Sequence, residues 1–388
     1  MRVVLVHDFL TQFGGAERVL TVLASLFPEA PIYTLVYDEE IVRKHFSERE
    51  VRGSFLQSLP AGIRTRHRLL LPLYPYALGR FNVRDFDIVI SSSSAFAKGV
   101  QRGLHAIHIC YCHATARFLW EEQEQYLRDN KYGAITKMAV KHLLTPLLRR
   151  WDIASARRVD VWIANSATTQ LKIHERYEKN ATVIYPPLTK LDHTMKHDAH
   201  PREYFLLVSR LAAYKKIDVV IDAFTILGLP LVIVGTGPEE KRFKKKAGKN
   251  ISFRGFVTDK ELAEHYRNAV ALIVACEEDF GISAIEALSF GTPVLAYRKG
   301  GVMEWMEEGR TGEFFDKQTS SEIRDGVRKI LHNNARYACA YLQEVASRFD
   351  ESEFRAAILR MVSLHEIDFF QRKEYDKNNS ETVDKRPG

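Results

Sequence analysis

The sequence predicts an α/β protein built from two Rossmann-like domains. Three observations carry this. A chain of 388 residues suits two domains rather than one. Short β-branched runs alternate with longer helix-like stretches, the pattern of parallel strands joined by crossover helices. The strand candidates are nearly unbroken apolar runs, as expected for strands buried on both faces.

In the first half the strand candidates are Val3 to Val6, Ile88 to Ser91, Ile107 to Tyr111 and Val161 to Ala164. In the second half they are Phe205 to Val208, Leu231 to Val234, Ile251 to Phe253, Ala271 to Ala275 and Pro293 to Ala296, with helical spacing at Ile217 to Leu227 and Ile282 to Phe290. The halves meet at Tyr185-Pro186-Pro187-Leu188 and the polar stretch Thr189 to Arg202, which reads as an extended linker. This sets expected domains at 1–187 and 188–346, a C-terminal helix at 347–372 and a polar, disordered tail at 373–388.

Hydrophobic residues make up 46% and charged residues 27%, as in an ordinary soluble globular protein. The formal charge of +7 admits nucleotides, acidic lipids or nucleic acid without choosing among them. A nucleic-acid binder would need cations interleaved with aromatics on one surface, or a recognisable module, and neither is found. The first apolar run is cut off by His7-Asp8, too early for a secretory signal, and no stretch approaches the roughly 20 apolar residues of a membrane span. Cys110, Cys112, Cys276 and Cys339 are not spaced as a disulfide framework. The expected location is cytoplasmic, with reduced thiols.

Four groups of residues stand where chemistry is expected. Gly14-Gly15 follows the first strand just before a helix, a place where backbone amides can approach a phosphate, although a plain tight turn needs the same residues. Arg210 ends a strand, and Lys215 lies five residues on. A guanidinium and an ammonium at the mouth of a sheet suit a diphosphate. Gly235-Thr236-Gly237 ends the next strand, in a loop suited to lie beside a nucleotide. The most informative segment is Glu278-Asp279-Phe280-Gly281-Ile282-Ser283-Ala284-Ile285-Glu286. It opens a helix whose first amides, at Gly281, Ile282 and Ser283, suit a phosphate, while Glu278 and Glu286 suit sugar and ribose hydroxyls.

Taken together, the E-x7-E pair enclosing Phe280-Gly281, Arg210 with Lys215, Gly235 with Gly237, and Gly14-Gly15 resemble glycosyltransferase family 4, the retaining group-1 enzymes of GT-B fold. The resemblance implies two Rossmann-like domains facing each other across a cleft, with the C-terminal helix crossing back to the first domain. It implies that Arg210 and Lys215 hold the donor diphosphate, Glu278 binds the transferred sugar and Glu286 the ribose. Phe256, within Gly255-Phe256-Val257, would border the base. Gly14, Gly15, Gly235, Gly237, Phe280, Gly281, Ile282 and Ser283 would complete the donor site. Such enzymes use no divalent metal and no cofactor; the sugar nucleotide is a substrate.

A second element of the resemblance is Cys110 to Trp120, similar to the H-T-P-x-R-x-x-W stretch of members acting on mannosyl or lipid-linked acceptors. It implies a role for His113 beside the reacting centre. Ala114 and Thr115 stand where Thr and Pro are common, which predicts a less rigid loop. The implied reaction is transfer of a hexose, mannose from GDP-mannose, to a saccharide or lipid-linked saccharide acceptor in polysaccharide or glycolipid synthesis. A UDP-sugar donor, or a non-catalytic nucleotide-sugar-binding protein, are the alternatives.

Some of these residues admit other readings. Cys110, Cys112 and His113 could approach a metal, but no fourth ligand is evident and C-x-C in an apolar strand suits core. Asp85-Phe86-Asp87 looks like a metal-holding D-x-D, and is read instead as a strand-entry turn. The run Arg64 to Arg68, leading into Leu69 to Tyr76, suits a peripheral contact with a membrane surface. So do Lys137, Lys141, Arg149 and Arg150 around Leu143, Leu144, Leu147, Leu148 and Trp151, and a solvated basic face over core helices is the equal alternative.

Overall fold

The computed structural model describes residues 1–64, 70–121, 133–189, 191 and 202–365. The chain forms two compact units, one from Met1–Tyr185 together with the segment beginning at Ser352, the other from Pro186–Glu351. Residues 192–201 of the expected linker, residues 366–372 of the expected last helix and the expected tail 373–388 lie outside the described residues.

The first unit is a wholly parallel sheet of β1 (Val3–His7), β2 (Ile32–Thr34), β3 (Val51–Gly53), β4 (Ile88–Ser93), β5 (Ile107–Cys112), β6 (Val161–Ala164) and β7 (Ala181–Val183). Its order is β3-β2-β1-β4-β5-β6-β7. Every residue of β4 and β5 is buried, which explains the nearly unbroken apolar reading of Ile88 to Ser91 and Ile107 to Tyr111. β4 runs on past the expected end at Ser91, because Ser92 and Ser93 satisfy their hydroxyls inside the unit rather than in water. Three strands were not expected. β2 has only three residues after Pro31, and β3 and β7 are short, half-exposed edges.

The helix Gly15–Leu26 lays Val19, Leu20, Leu23 and Ala24 against this sheet. The last helical segment, at 351–365, brings Phe354, Ile358 and Val362, spaced four apart, into the same core as Leu5, Ile90, Ile109 and Tyr111. The Phe354 ring meets the Tyr111 ring edge-on at 5.6 Å.

The second unit is also parallel throughout: β8 (Tyr204–Val208), β9 (Leu231–Val234), β10 (Ile251–Gly255), β11 (Ala269–Val274), β12 (Val294–Tyr297) and β13 (Gly312–Phe315), in the order β10-β9-β8-β11-β12-β13. β13 escapes a hydrophobic reading because it carries Glu313. That carboxylate is buried, and it accepts hydrogen bonds from the Tyr337 hydroxyl and the Asn333 amide, each at 2.8 Å. In each sheet the strand order reverses once, between β1 and β4 and between β8 and β11. Ligands of open α/β sheets bind beyond the carboxyl ends of such strands. Among the described residues no helix is long and apolar enough to cross a membrane.

Candidate active site

In the second unit the expected donor residues gather where the strand order reverses. Arg210 follows β8 and is exposed, and its side chain makes no ion pair among the described residues. Lys215 closes a short 3-10 turn after the same strand. Glu278 follows β11, and its Oε1 lies 2.6 Å from Lys215 Nζ. The Cys276 thiol donates to the same oxygen at 3.2 Å. Burial is the largest influence on Lys215 and favours the neutral amine. The acidic groups beside it, Cys276, Glu278 and Tyr214, outweigh this and hold the ammonium well above its ordinary pKa. The cation is therefore fixed in both charge and position.

The neighbouring loops are packed to hold this geometry. A side chain at Gly235, where φ is +125°, would put its Cβ 2.0 Å from the Ser209 carbonyl oxygen, so only glycine lets the loop after β9 lie against the loop carrying Arg210. A Cβ at Gly237 would likewise fall 2.4 Å from the Leu211 carbonyl oxygen. Gly281, at φ +94°, turns the chain from Phe280 into the helix Ile282–Ser289, whose first-turn amides, including Ile282 and Ser283, are offered at its start. Phe280 is buried under this turn, its carbonyl accepting from Trp305 Nε1 at 3.3 Å. Phe256, expected to border the base, is exposed beyond β10.

Glu286 is buried on the helix Ile282–Ser289, where its Oε2 accepts the Tyr266 hydroxyl at 2.7 Å. Tyr266 had no signal in the sequence beyond an apolar helix position. The second unsignalled feature is Gly300-Gly301, whose backbone clasps the Glu278 loop through Gly301 N–H to Glu278 O at 2.8 Å.

In the first unit His113 stands just past β5, buried. Its Nε2 is 2.7 Å from Ser92 Oγ, and Ser92 Oγ is 3.0 Å from His7 Nδ1. Strand register produces this, since β1 and β4 pair His7 with Ser92. Burial, with His7 adding to it, pushes the His113 pKa down to about 3. Gly15 opens the helix after β1, and the Gly14 amide donates to Glu17 Oε2 at 2.8 Å, so this glycine turn is closed on its own helix.

The loop after His113, expected to be loose without its proline, is instead tied by side chains. Arg176 bonds Thr115 and Glu121, and the Trp120 indole donates to Asp152 at 2.9 Å. Asp152 also accepts from the Tyr177 hydroxyl at 2.8 Å and pairs with buried Lys98.

Cys110 and Cys112 are core, packed with Ala156, Val159 and Trp162, and burial raises the Cys110 thiol to about 12. Asp87 closes the turn into β4 by accepting the Arg2 amide at 2.7 Å, and Asp85 lies in that turn. The basic stretch at 137–151 divides. Leu148 is buried and Arg149 donates to the Leu119 carbonyl, whereas Met138, Leu143 and Leu147 are exposed beside Lys141 and Arg150. Of the earlier basic stretch, residues 65–69 lie outside the described residues, Leu70 and Tyr74 are core, and Leu73 and Tyr76 are exposed.

Two parallel sheets, each with one strand reversal and the second with a cation–carboxylate pair at that reversal, define a doubly wound α/β protein of two Rossmann-like units. Sequence profiles for "Glycosyl transferases group 1" and "Glycosyltransferase Family 4" match residues 192–348 and 13–189. The chain belongs to this glycosyltransferase family and is a glycosyltransferase. An uncharacterised glycosyltransferase of Methanocaldococcus jannaschii is 25% identical over 86% of this chain and 89% of its own. The O-antigen chain mannosyltransferase C of Escherichia coli is 26% identical over 49% of this chain and 54% of its own. A GDP-mannose-dependent phosphatidylinositol monomannoside mannosyltransferase of Mycobacterium tuberculosis is 27% identical over 37% of this chain and 42% of its own. Anabaena HepE, solved with UDP-glucose, has a TM-score of 0.67 at 19% identity, covering 94% of this chain and all of that one, which shows the shared GT-B fold.

Proposed function

We propose that this glycosyltransferase transfers mannose from GDP-mannose to a saccharide or lipid-linked saccharide acceptor, with retention and without a metal, in polysaccharide or glycolipid synthesis. The observation that carries the reading is the Lys215–Glu278 pair beside Arg210 at the reversal between β8 and β11. The bond from the anomeric carbon to the diphosphate breaks, its electron pair leaving with the diphosphate. Arg210, Lys215 and the amides after Gly281 stabilise that charge where it develops. The acceptor oxygen bonds to the carbon, and its proton passes to the departing diphosphate on the same face, which yields retention. Glu278, held by Lys215, accepts hydroxyls of the sugar, and Glu286 those of the ribose.

Mannose is favoured by the His113 segment and by the mannosyltransferases among the relatives. Peripheral contact with a membrane is favoured by exposed Met138, Leu143 and Leu147 among cations, which would bring the enzyme to a lipid-linked acceptor.

The test is a thermal-shift titration with GDP- and UDP-sugars, each with and without EDTA, followed by determination of the product's anomeric configuration. At a hundredfold excess over Kd a bound donor adds about 2.7 kcal/mol of stability. GDP-mannose is expected to give this shift, unchanged by EDTA. A shift with a UDP-sugar alone would reassign the donor, and an inverted product would overturn the mechanism. Lys215→Ala is expected to lose both shift and turnover.

A further inference from the structure

The first unit holds a chain of buried polar groups that the transfer chemistry above does not use. Glu17 Oε2 is held by the Gly14 amide at 2.8 Å, and Glu17 Oε1 lies 3.7 Å from His7 Nε2. His7 Nδ1 is 3.0 Å from Ser92 Oγ, and Ser92 Oγ is 2.7 Å from His113 Nε2. All four side chains are buried, and they come from β1, β4, the segment after β5 and the helix Gly15–Leu26.

We propose that Glu17, His7 and Ser92 are positioning residues that set the tautomer of His113, leaving its Nδ1 as a hydrogen-bond acceptor for a substrate hydroxyl. The inference rests on the reading of His113 as a residue that meets substrate.

The direction of the chain follows from its carboxylate end. A carboxylate beside His7 Nε2 favours the proton on that nitrogen, which makes His7 Nδ1 an acceptor. The Ser92 hydroxyl carries a single proton, so if it donates to His7 it can only accept from His113. His113 Nε2 then bears the ring proton, and the Nδ1 lone pair is left. No charge moves in this arrangement.

Four further observations support it. Asp8, next to His7, is not a competitor, because its carboxylate accepts the amides of Ser94, Ala95, Phe96 and Ala97. The His113 backbone is fixed from both sides, its N–H donating to Ser93 O at 2.8 Å and its carbonyl accepting from Asn165 Nδ2 at 2.9 Å. Nδ1 makes no hydrogen bond among the described residues, and the depressed pKa keeps the ring neutral above about pH 3, as an acceptor nitrogen must be. The other ring against His113, Tyr111, spends its hydroxyl on Ile184 O at 3.0 Å.

The experiment is 15N NMR of the histidine rings in the full chain, with His113 assigned by its loss in His113→Gln, alongside kinetics of Ser92→Ala and Glu17→Gln. The expected result is a neutral His113 protonated on Nε2 in the native protein. In both variants that preference is expected to fall, and kcat to drop about tenfold or more, with KM for the sugar nucleotide unchanged. Donor hydrolysis without acceptor locates the hydroxyl: it falls with kcat if the hydroxyl belongs to the transferred sugar, and is unaffected if it belongs to the acceptor. A native His113 protonated on Nδ1 would overturn the proposal without any variant having to fold, as would variants with native kcat. Full transfer by His113→Gln would instead sink the reading of His113, while the tautomer measurement would still stand.

Discussion

The residues that bear charge in this enzyme are held by partners that leave no mark in the sequence. Lys215 and Glu278 were legible because their spacing and family pattern single them out, but their pairing is a fact of strand order. The same holds for Ser92, His7 and Tyr266. A serine at the end of a strand and a tyrosine on an apolar helix face look ordinary until the register is known. Buried histidines make this scale testable. Burial brings both His108 and His113 down to about 3, against an ordinary 6.5. The unfolded chain binds their protons below about pH 6.5 and the folded chain does not, so stability falls on acidification between these values. Each contributes a slope of up to about 1.4 kcal/mol per pH unit. Urea unfolding midpoints from pH 7 to pH 4 should therefore fall more steeply for the native chain than for His108→Asn. Equal slopes would mean that His108 is protonated in the fold.

The elements were read from the sequence wherever apolar runs were continuous, as in β4, β5, β6 and β9. They were missed where a strand was a three-residue edge or carried a satisfied charge, as in β7 and β13. The loop after β5 shows why local composition misled. Its constraint comes from Arg176 and Asp152, which lie on other helices, rather than from a proline within it. Asp152 on the helix Thr145–Ala156 joins the Trp120 end of that loop, the helix Ala167–Tyr177 and the turn holding Lys98. Removing it as Asp152→Ala leaves a buried ammonium without a counter-charge. The expected loss is about 3–5 kcal/mol of stability, read from denaturant unfolding. A loss below about 1 kcal/mol would show that water reaches Lys98 and that the hub is dispensable.

At the scale of the molecule, chain order and folding unit disagree. The chain leaves the first unit after Tyr185 and rejoins it at Ser352, so its last described helix belongs to its first core. The second unit, which holds Arg210, Lys215 and Glu278, is continuous in sequence and has a core of its own. Phe354, Ile358 and Val362 each bury an apolar side chain, worth about 1.5–3 kcal/mol apiece. A chain ending at Glu351 should therefore lose about 5 kcal/mol from the first unit, moving its melting transition down by about 10 °C or more. A chain ending at His365 keeps all three of these side chains and is the matched comparison. The transition of the second unit, and its stabilisation by the donor, should stay in place in both, because no residue of its core is removed. Calorimetry with and without sugar nucleotide separates the two transitions. If the donor-sensitive transition fell with the truncation at Glu351, the last helix would be supporting the donor unit, and the division of the chain at Tyr185 and Ser352 would not be a division of stability.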